Sequence, residues 1–353
     1  MFNSKFNGQH VCAEVTKNST IRKCSRDVFF ARLGALRNER NVSFLAARNG
    51  SDHLLVVPHN GYWFDQRPVY ELNVRDKRLG RAVRFALEHG AKYEWPGATT
   101  LSYFKSTPFP SYVHAELSMP WAELPWRQRP RRQVLIAAAF NAKHGATNNA
   151  AVRQMNVQRA ALIKSCRAPQ AAGFCSFLSL SPGALEKGGF HFRLSYSVVR
   201  QYWNATFCLQ PVGDACTRKG QIDALLLGCI PVRLHPCQDV QWPWHWGSWF
   251  RNATVALDYK KIASGELDVV KELRAVPAAQ VRAMQRVIAE HAHCMHYVHA
   301  TPRNGTQPAA VPHMARAADA FEISLQGVLA LQRGEDPDRT RQLCQRVPWE
   351  ADP

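Results

Sequence analysis

The sequence predicts an α/β protein in two domains, on three observations. From Val134 to Leu234, short runs rich in β-branched and aromatic residues alternate with helical stretches, the pattern of a parallel sheet covered on both faces. The 353 residues are 46% hydrophobic and 20% charged, which supports packed cores and excludes a disordered chain. A chain of this length ordinarily divides into two domains, each with its own core.

In order along the chain, residues 1–50 show one helix-like stretch, Asp27–Arg37. Leu54–Val57 is a short apolar run closed by Pro58-His59-Asn60-Gly61, a strand running into a loop. Gly80–His89 has helical spacing. Residues 95–130 hold Pro96, Pro108, Pro110, Pro120, Pro125 and Pro130 with Trp95, Trp121 and Trp126, so they read as ordered loop and linker. The domain boundary is expected near Arg127–Arg132, giving domains 1–130 and 131–353. Beyond it the expected order is strand Val134–Phe140, helix Ala150–Cys166, strand Phe174–Leu178, helix Ser195–Tyr202, strand Thr206–Gln210, helix Arg218–Leu227 and strand Ile230–Leu234. Two late helices follow. Pro277–Val298 places Val281, Met284, Ile288, Met295 and Val298 on one face, and Pro312–Leu331 does the same with Met314, Ala318, Phe321, Leu325 and Val328.

The longest apolar runs, Val134–Phe140 and Ile222–Val232, fall far short of the roughly 18 residues that span a bilayer. Met1–His10 is polar and lacks the apolar core of a signal peptide, so any targeting segment is expected upstream of Met1 or not at all. Ten cysteines without a C-x-x-C pair argue against zinc or redox chemistry. With six N-x-[ST] sequons (Asn18, Asn41, Asn49, Asn204, Asn252, Asn304) they point to the secretory lumen. Cys12 and Cys24 are plausible partners across a short loop, although connectivity cannot be deduced from sequence. The net charge of +18 suits a phosphorylated or polyanionic partner. The basic residues are scattered, without zinc-finger spacing, basic zipper or aromatic RNA-binding signature, so a nucleic-acid partner is not expected.

The chemistry concentrates in FCLQPVGDACTRKGQIDALLLGCIPV, residues 207–232, whose grammar is strand, loop, helix, strand. Pro211, Gly213 and Asp214 mark the loop, and Thr217 is the expected N-cap. Unpaired N–H groups at a helix start make an anion site. Arg218 and Lys219 place two cations where the helix dipole disfavours them, a conflict that an anionic ligand resolves. Asp223 lies within reach of a ribose diol if a pyrophosphate rests on the first turn; equally, it can pair with Arg218 or Lys219, and Gly213 can simply turn the chain. The stretch is neither a Walker A loop nor a G-x-G-x-x-G fingerprint, which leaves a nucleotide-sugar site as the most economical reading.

This stretch, continued as RLHP, resembles the signature of the exostosin-like glycosyltransferases, closest to their plant xyloglucan galactosyltransferase branch. RNGSDHLLV (48–56), FPSYVHAE (109–116) and VLIAAAF with Ala151-Val152-Arg153 and Cys166 resemble further family blocks in the same order. The resemblance covers residues 48 to about 275. It implies a GT-B architecture of two Rossmann-like domains facing a cleft, the N-terminal one on the acceptor side and the C-terminal one binding the nucleotide sugar. Gly213, Asp214, Thr217, Arg218, Lys219 and Asp223 match the donor-binding block, with Arg218 and Lys219 on the diphosphate and Asp223 on the ribose. No essential metal or other cofactor is expected, because in this fold helix N-termini and basic side chains do that work. The implied partners are a UDP-sugar donor and a polysaccharide acceptor, and the implied place is the Golgi lumen, with the membrane anchor outside this chain. Only 47 residues precede Arg48, so the N-terminal domain is expected to be incomplete. Gln221-Ile222 replaces the family's small–aromatic pair, and Ala-Ala-Ala-Phe lacks its usual glycine.

Inverting transfer needs a base for the acceptor hydroxyl. Asp52 and His53, in a family block, are the expected catalytic pair, ahead of His59, Asp65 and His114. Trp242, Trp244, Trp246 and Trp249 would stack on sugars if exposed and join the core if tucked in. His291, His293, His296 and His299 read as a polar helix face before they read as a metal site. Two functions are carried forward: an inverting transferase moving galactose from UDP-galactose to a cell-wall polysaccharide, and an inactive carbohydrate- or nucleotide-binding relative.

Overall fold

Val134–Phe140 carries no polar side chain and is buried over its last five residues, as an inner strand of a parallel sheet must be. In the computed structural model it does occupy such a position. The described residues are 54–56, 82–87, 104–111, 113, 121–128, 132–142, 150–180, 190–213, 216–297, 318–335 and 343–348. The chain divides into two compact units, Met1–Ser106 and Thr107–Pro353.

In the first unit, strands β1 (Leu54–Val56), β2 (Val83–Ala86) and β3 (Phe104–Ser106) pair in parallel, in that order. The helix expected over Gly80–His89 is therefore a strand at its centre. Val-Arg-Phe-Ala pairs on both edges, and that pairing outweighs a helical spacing only a few residues long.

The second unit holds β4 (Val134–Phe140), β5 (Cys175–Ser179), β6 (Ala205–Gln210), β7 (Ile230–Arg233) and β8 (Val255–Ala256). All are parallel, in the order β5-β4-β6-β7-β8. Helices α1 (Ala150–Arg167), α2 (Phe190–Trp203) and α3 (Lys219–Leu226) make the crossovers. The chain leaves β4 toward β5 and returns on its other side through β6, so the order reverses between β4 and β6. Beyond the carboxyl ends of those two strands lies the crevice where open α/β sheets bind ligands.

Four disulfides tie this unit together: Cys166–Cys175, Cys208–Cys229, Cys216–Cys237 and Cys294–Cys344. Cys12 and Cys24 lie outside the described residues. Below the sheet, the Arg132 guanidinium donates to the carbonyls of Tyr202, Trp203, Ala205 and Leu227 at 2.7–3.1 Å, joining the ends of α2 and α3 to the start of β6. Gly228 closes α3 at φ +64°, a backbone sign that favours glycine, and a Cβ there would lie 2.9 Å from Arg132 Nη2 and press on that guanidinium.

The division between units falls at Ser106, upstream of the expected 130/131. The segment between them belongs to the second unit: Leu124 and Trp126 are buried, and the Trp126 ring lies 5.3 Å from that of His296. Prolines and tryptophans there mark irregular backbone pressed onto a core.

The remainder is helical: α4 (Pro243–Trp246), α5 (Tyr259–Ser264), α6 (Val269–Arg274), α7 (Ala278–His291) and α8 (Ala320–Gln332). The helix expected to run to Val298 stops at His291 and tightens into a 3-10 turn, Ala292–Met295. On α8 the expected inward pair Phe321 and Leu325 is exposed, while Ile323, Val328 and Leu331 are buried. All four tryptophans of 242–249 are buried, which decides for the core. Trp242 adopts φ 48°, Trp246 stacks on Phe250 at 4.8 Å, and Trp249 stacks on His291 at 5.2 Å. His291, His293 and His296 are likewise buried and form no polar face; His299 lies outside the described residues. Among the described residues no three His, Cys, Asp or Glu side chains gather as a metal site, and no helix is long and apolar enough to cross a membrane.

Candidate functional site

Loop 211–218 leaves β6 at the switch point, and the buried motif on either side of it fixes its ends. Cys208–Cys229 pins β6 to the start of β7, and Cys216–Cys237 pins the loop to the 3-10 turn Pro236–Val240. That turn is itself held by Gln238, whose side chain accepts from Leu234 N–H and donates to the Gln210 carbonyl. Arg218 is extended (φ −148°, ψ 148°), and the helix begins at Lys219. The N-cap is therefore Arg218 and not Thr217, which is buried, and the Arg218 side chain does not cap the helix N–H groups. Gly220 then allows the close approach of α3: a Cβ would sit 3.0 Å from the Tyr202 hydroxyl and 3.3 Å from Gln210 Oε1.

Arg218 Nη2 donates to the Ala139 carbonyl, 3.1 Å away at the end of β4, and its guanidinium lies 5.9 Å from the Phe140 ring centre. Lys219 Nζ contacts Asp223 Oδ2 at 2.6 Å, with the lysine side chain 28% exposed and the aspartate 4%. Burial pushes the Lys219 ammonium below its usual pKa, and the Asp223 carboxylate opposes that fall. Asp223 Oδ1 accepts from Ser111 Oγ at 2.5 Å. Buried Arg159 of α1 donates to Asn141 O at 3.0 Å and to Val212 O at 3.0 Å, bridging the loops that follow β4 and β6.

The structure thus brings Gly213, Thr217, Arg218, Lys219 and Asp223 into one loop-and-helix unit. Asp214, Asp52, His53, His59, Asp65 and His114 lie outside the described residues. Sequence reasoning missed Ser111 and Arg159. Ser111 stands inside the FPSYVHAE block, where its position beside a buried acid leaves no sequence signal. Arg159 is one of several arginines on a helix, and only the fold turns it inward. Gln221, the family departure, is wholly buried, and its side-chain amide finds no hydrogen-bond partner among the described residues.

The family model described as Exostosin GT47 domain matches residues 13–262, most of the chain. The chain belongs to that family. A parallel sheet in each of the two units, with crossover helices described in the second, agrees with a GT-B architecture. The Arabidopsis thaliana protein named "Probable xyloglucan galactosyltransferase GT19" is 26% identical over 80% of this chain and 61% of its own length. The chain therefore spans about three fifths of that relative. The Arabidopsis thaliana "Xyloglucan-specific galacturonosyltransferase 1" is 32% identical over 47% of this chain and 23% of its own. Among solved structures, the glycotransferase of kitacinnamycin is 13% identical, covers 76% of this chain and 59% of its own, and has a TM-score of 0.32.

Proposed function

We propose that this protein is an inverting glycosyltransferase that moves a sugar, galactose in our reading, from a UDP-sugar to a cell-wall polysaccharide in the Golgi lumen. The observation that carries the reading is the pair Arg218 and Lys219 at the start of α3, beside the switch point of a parallel sheet. A diphosphate leaving group there meets helix N–H groups and two cations, which stabilise the charge that develops as the glycosidic bond breaks. Family membership and relatives named as xyloglucan galactosyltransferases support the transferase class. The first unit takes the acceptor in this reading, and Asp52 with His53 supplies the base.

Calorimetric titration of UDP and pyrophosphate tests the donor site. Arg218→Ala and Lys219→Ala should each weaken UDP by roughly 10- to 150-fold, the loss of one charge-assisted contact of about 1.5–3 kcal/mol. Equal affinity in wild type and both variants would make the motif a remnant of the fold. Transfer from UDP-galactose to xyloglucan oligosaccharides then separates an enzyme from a relative that only binds; Asp52→Asn or His53→Ala should remove turnover while leaving UDP affinity intact.

A further inference from the structure

A cavity of about 490 Å³ in the second unit shares no residue with loop 211–218. Trp249 and Asn252 of the 3-10 turn Trp249–Ala253, Val287 and His291 of α7, and Cys344 and Arg346 near the end of the chain line it. The volume lies within the roughly 300–1,000 Å³ of small-ligand sites. Its walls are fixed in place. Trp249 Nε1 donates to His245 O at 3.0 Å, and Cys344 is bridged to Cys294. Arg346 grips buried Glu290 of α7 through Nε at 2.8 Å and Nη2 at 2.7 Å, and Val347 N–H donates to Glu290 O at 3.0 Å. Two polar atoms are left over. His291 Nδ1–H donates to Val287 O at 2.9 Å, so Nε2 is the ring atom left to accept, and Arg346 Nη1 is left to donate.

Asn252, the exposed residue on the rim, opens the sequon Asn252-Ala253-Thr254. The third position of that sequon is closed. Thr254 is buried; its hydroxyl donates to Phe250 O at 2.7 Å and accepts from Arg233 Nε at 2.8 Å. An enzyme that reads the threonine hydroxyl therefore has to act before this turn folds. Cys344, which completes the cavity wall, follows Asn252 by 92 residues (344 − 252), so a sugar added during synthesis is in place first.

We propose that Asn252 carries an N-glycan attached before the turn folds, and that its first N-acetylglucosamine residues seat in this cavity. Their C–H faces lie on Trp249 and Val287, and their hydroxyl and acetamide groups meet His291 Nε2 and Arg346 Nη1. In the attachment, Asn252 Nδ2 bonds to the anomeric carbon of a lipid-diphosphate-linked oligosaccharide. The carbon–oxygen bond to the diphosphate breaks, the lipid diphosphate leaves with the electron pair, and the amide proton passes to a base of the transferring enzyme. The inference rests on the lumenal reading of this chain.

The test uses the full chain secreted from a eukaryotic host, its sequons mapped by peptide mass spectrometry and its glycans released natively with peptide N-glycosidase. Asn252 should be occupied. Its glycan should leave the wild type about tenfold more slowly than it leaves Val287→Trp, because the enzyme takes only the unseated population. Val287 is half-buried and has room for the larger ring, and Gln345→Trp, at an exposed lining position, is a second variant that fills the seat. Equal release from wild type and both variants would overturn the seat. Folded, unglycosylated chain given oligosaccharyltransferase and its lipid-linked donor should stay bare at Asn252, while reduced and unfolded chain should accept; modification of the folded chain would overturn the order of events. Glycans at other sequons with Asn252 bare would overturn the inference and leave the lumenal reading standing. A chain bare at every sequon would remove both.

Discussion

Replacing Arg132 with methionine removes one side chain that holds four carbonyls at the closed end of the larger sheet. Nη1 shares two hydrogens among three of these carbonyls, so the four contacts count as about three hydrogen bonds to a charged group, which at about 2.7 kcal/mol each give roughly 8 kcal/mol. Burial opposes part of this. It draws the guanidinium from 12.5 down to about 10, and at about 1.4 kcal/mol per pKa unit that offsets roughly 3 kcal/mol. Some 5 kcal/mol remains, close to the cost of breaking a buried charged network, about 3–5 kcal/mol. For a unit of this size each kcal/mol moves the melting temperature by about 2–4 °C, so Arg132→Met should melt roughly 10–20 °C lower. Arg132→Lys should fall between the two, since an ammonium cannot reach both the α2 and α3 carbonyls at once. Thermal unfolding followed by far-ultraviolet circular dichroism under non-reducing conditions measures this. A fall of less than about 4 °C for Arg132→Met would refute the reasoning, because these bonds would then be worth no more than their desolvation.

Other expectations follow from single observations. Gln221→Met keeps the volume and removes two buried polar atoms without partners, so it should stabilise by about 1 kcal/mol in urea unfolding. The buried His245 donates Nε2–H to Ala320 O at 2.9 Å, and burial pulls its pKa from 6.5 to about 4. A depressed pKa means that the folded state favours the neutral ring: the contribution is complete above pH 6.5 and is lost as pH falls from there toward 4. The loss is on the order of 3 kcal/mol, and His245→Gln should flatten stability across that window. Asn252 is exposed and Asn204 only half so, its carbonyl taken by the N–H groups of Gln133 and Val134. A chain secreted through the endoplasmic reticulum should therefore carry a glycan at Asn252, seen as a mass shift removed by peptide N-glycosidase and absent in Asn252→Gln.

What was legible in the sequence is what burial writes into it. Strands β4, β6 and β7 are mostly apolar and mostly buried, and their expected bounds differ from the observed ones by a residue at most. α3 starts one residue beyond the expected position, after a loop tied by the Cys216–Cys237 bridge, whose pairing is not encoded in spacing. Val83–Ala86 was misread because a four-residue strand is defined by its neighbours. The tryptophans of 242–249 carry the same sequence whether they face solvent or core, and only their packing decides. At the site, the charged residues of the motif stood out, whereas Ser111 did not: it meets Asp223 across 112 positions of chain.

The two bridges around the motif have a consequence for how the chain can be made. Cys208, Cys216, Cys229 and Cys237 can pair in three ways, and the native one is the only interleaved arrangement, each bridge spanning 21 residues and each loop containing one end of the other. Joining neighbours instead, Cys208 to Cys216 and Cys229 to Cys237, closes two loops of only 8 residues (216 − 208 and 237 − 229). Loop closure favours each short ring by about 0.9 kcal/mol, roughly a fourfold bias in encounter. An oxidant alone therefore traps the scrambled isomer first, and a reshuffling catalyst has to undo it. Yield of correctly bridged protein should track disulfide isomerase far more closely than it tracks the oxidising power of the medium.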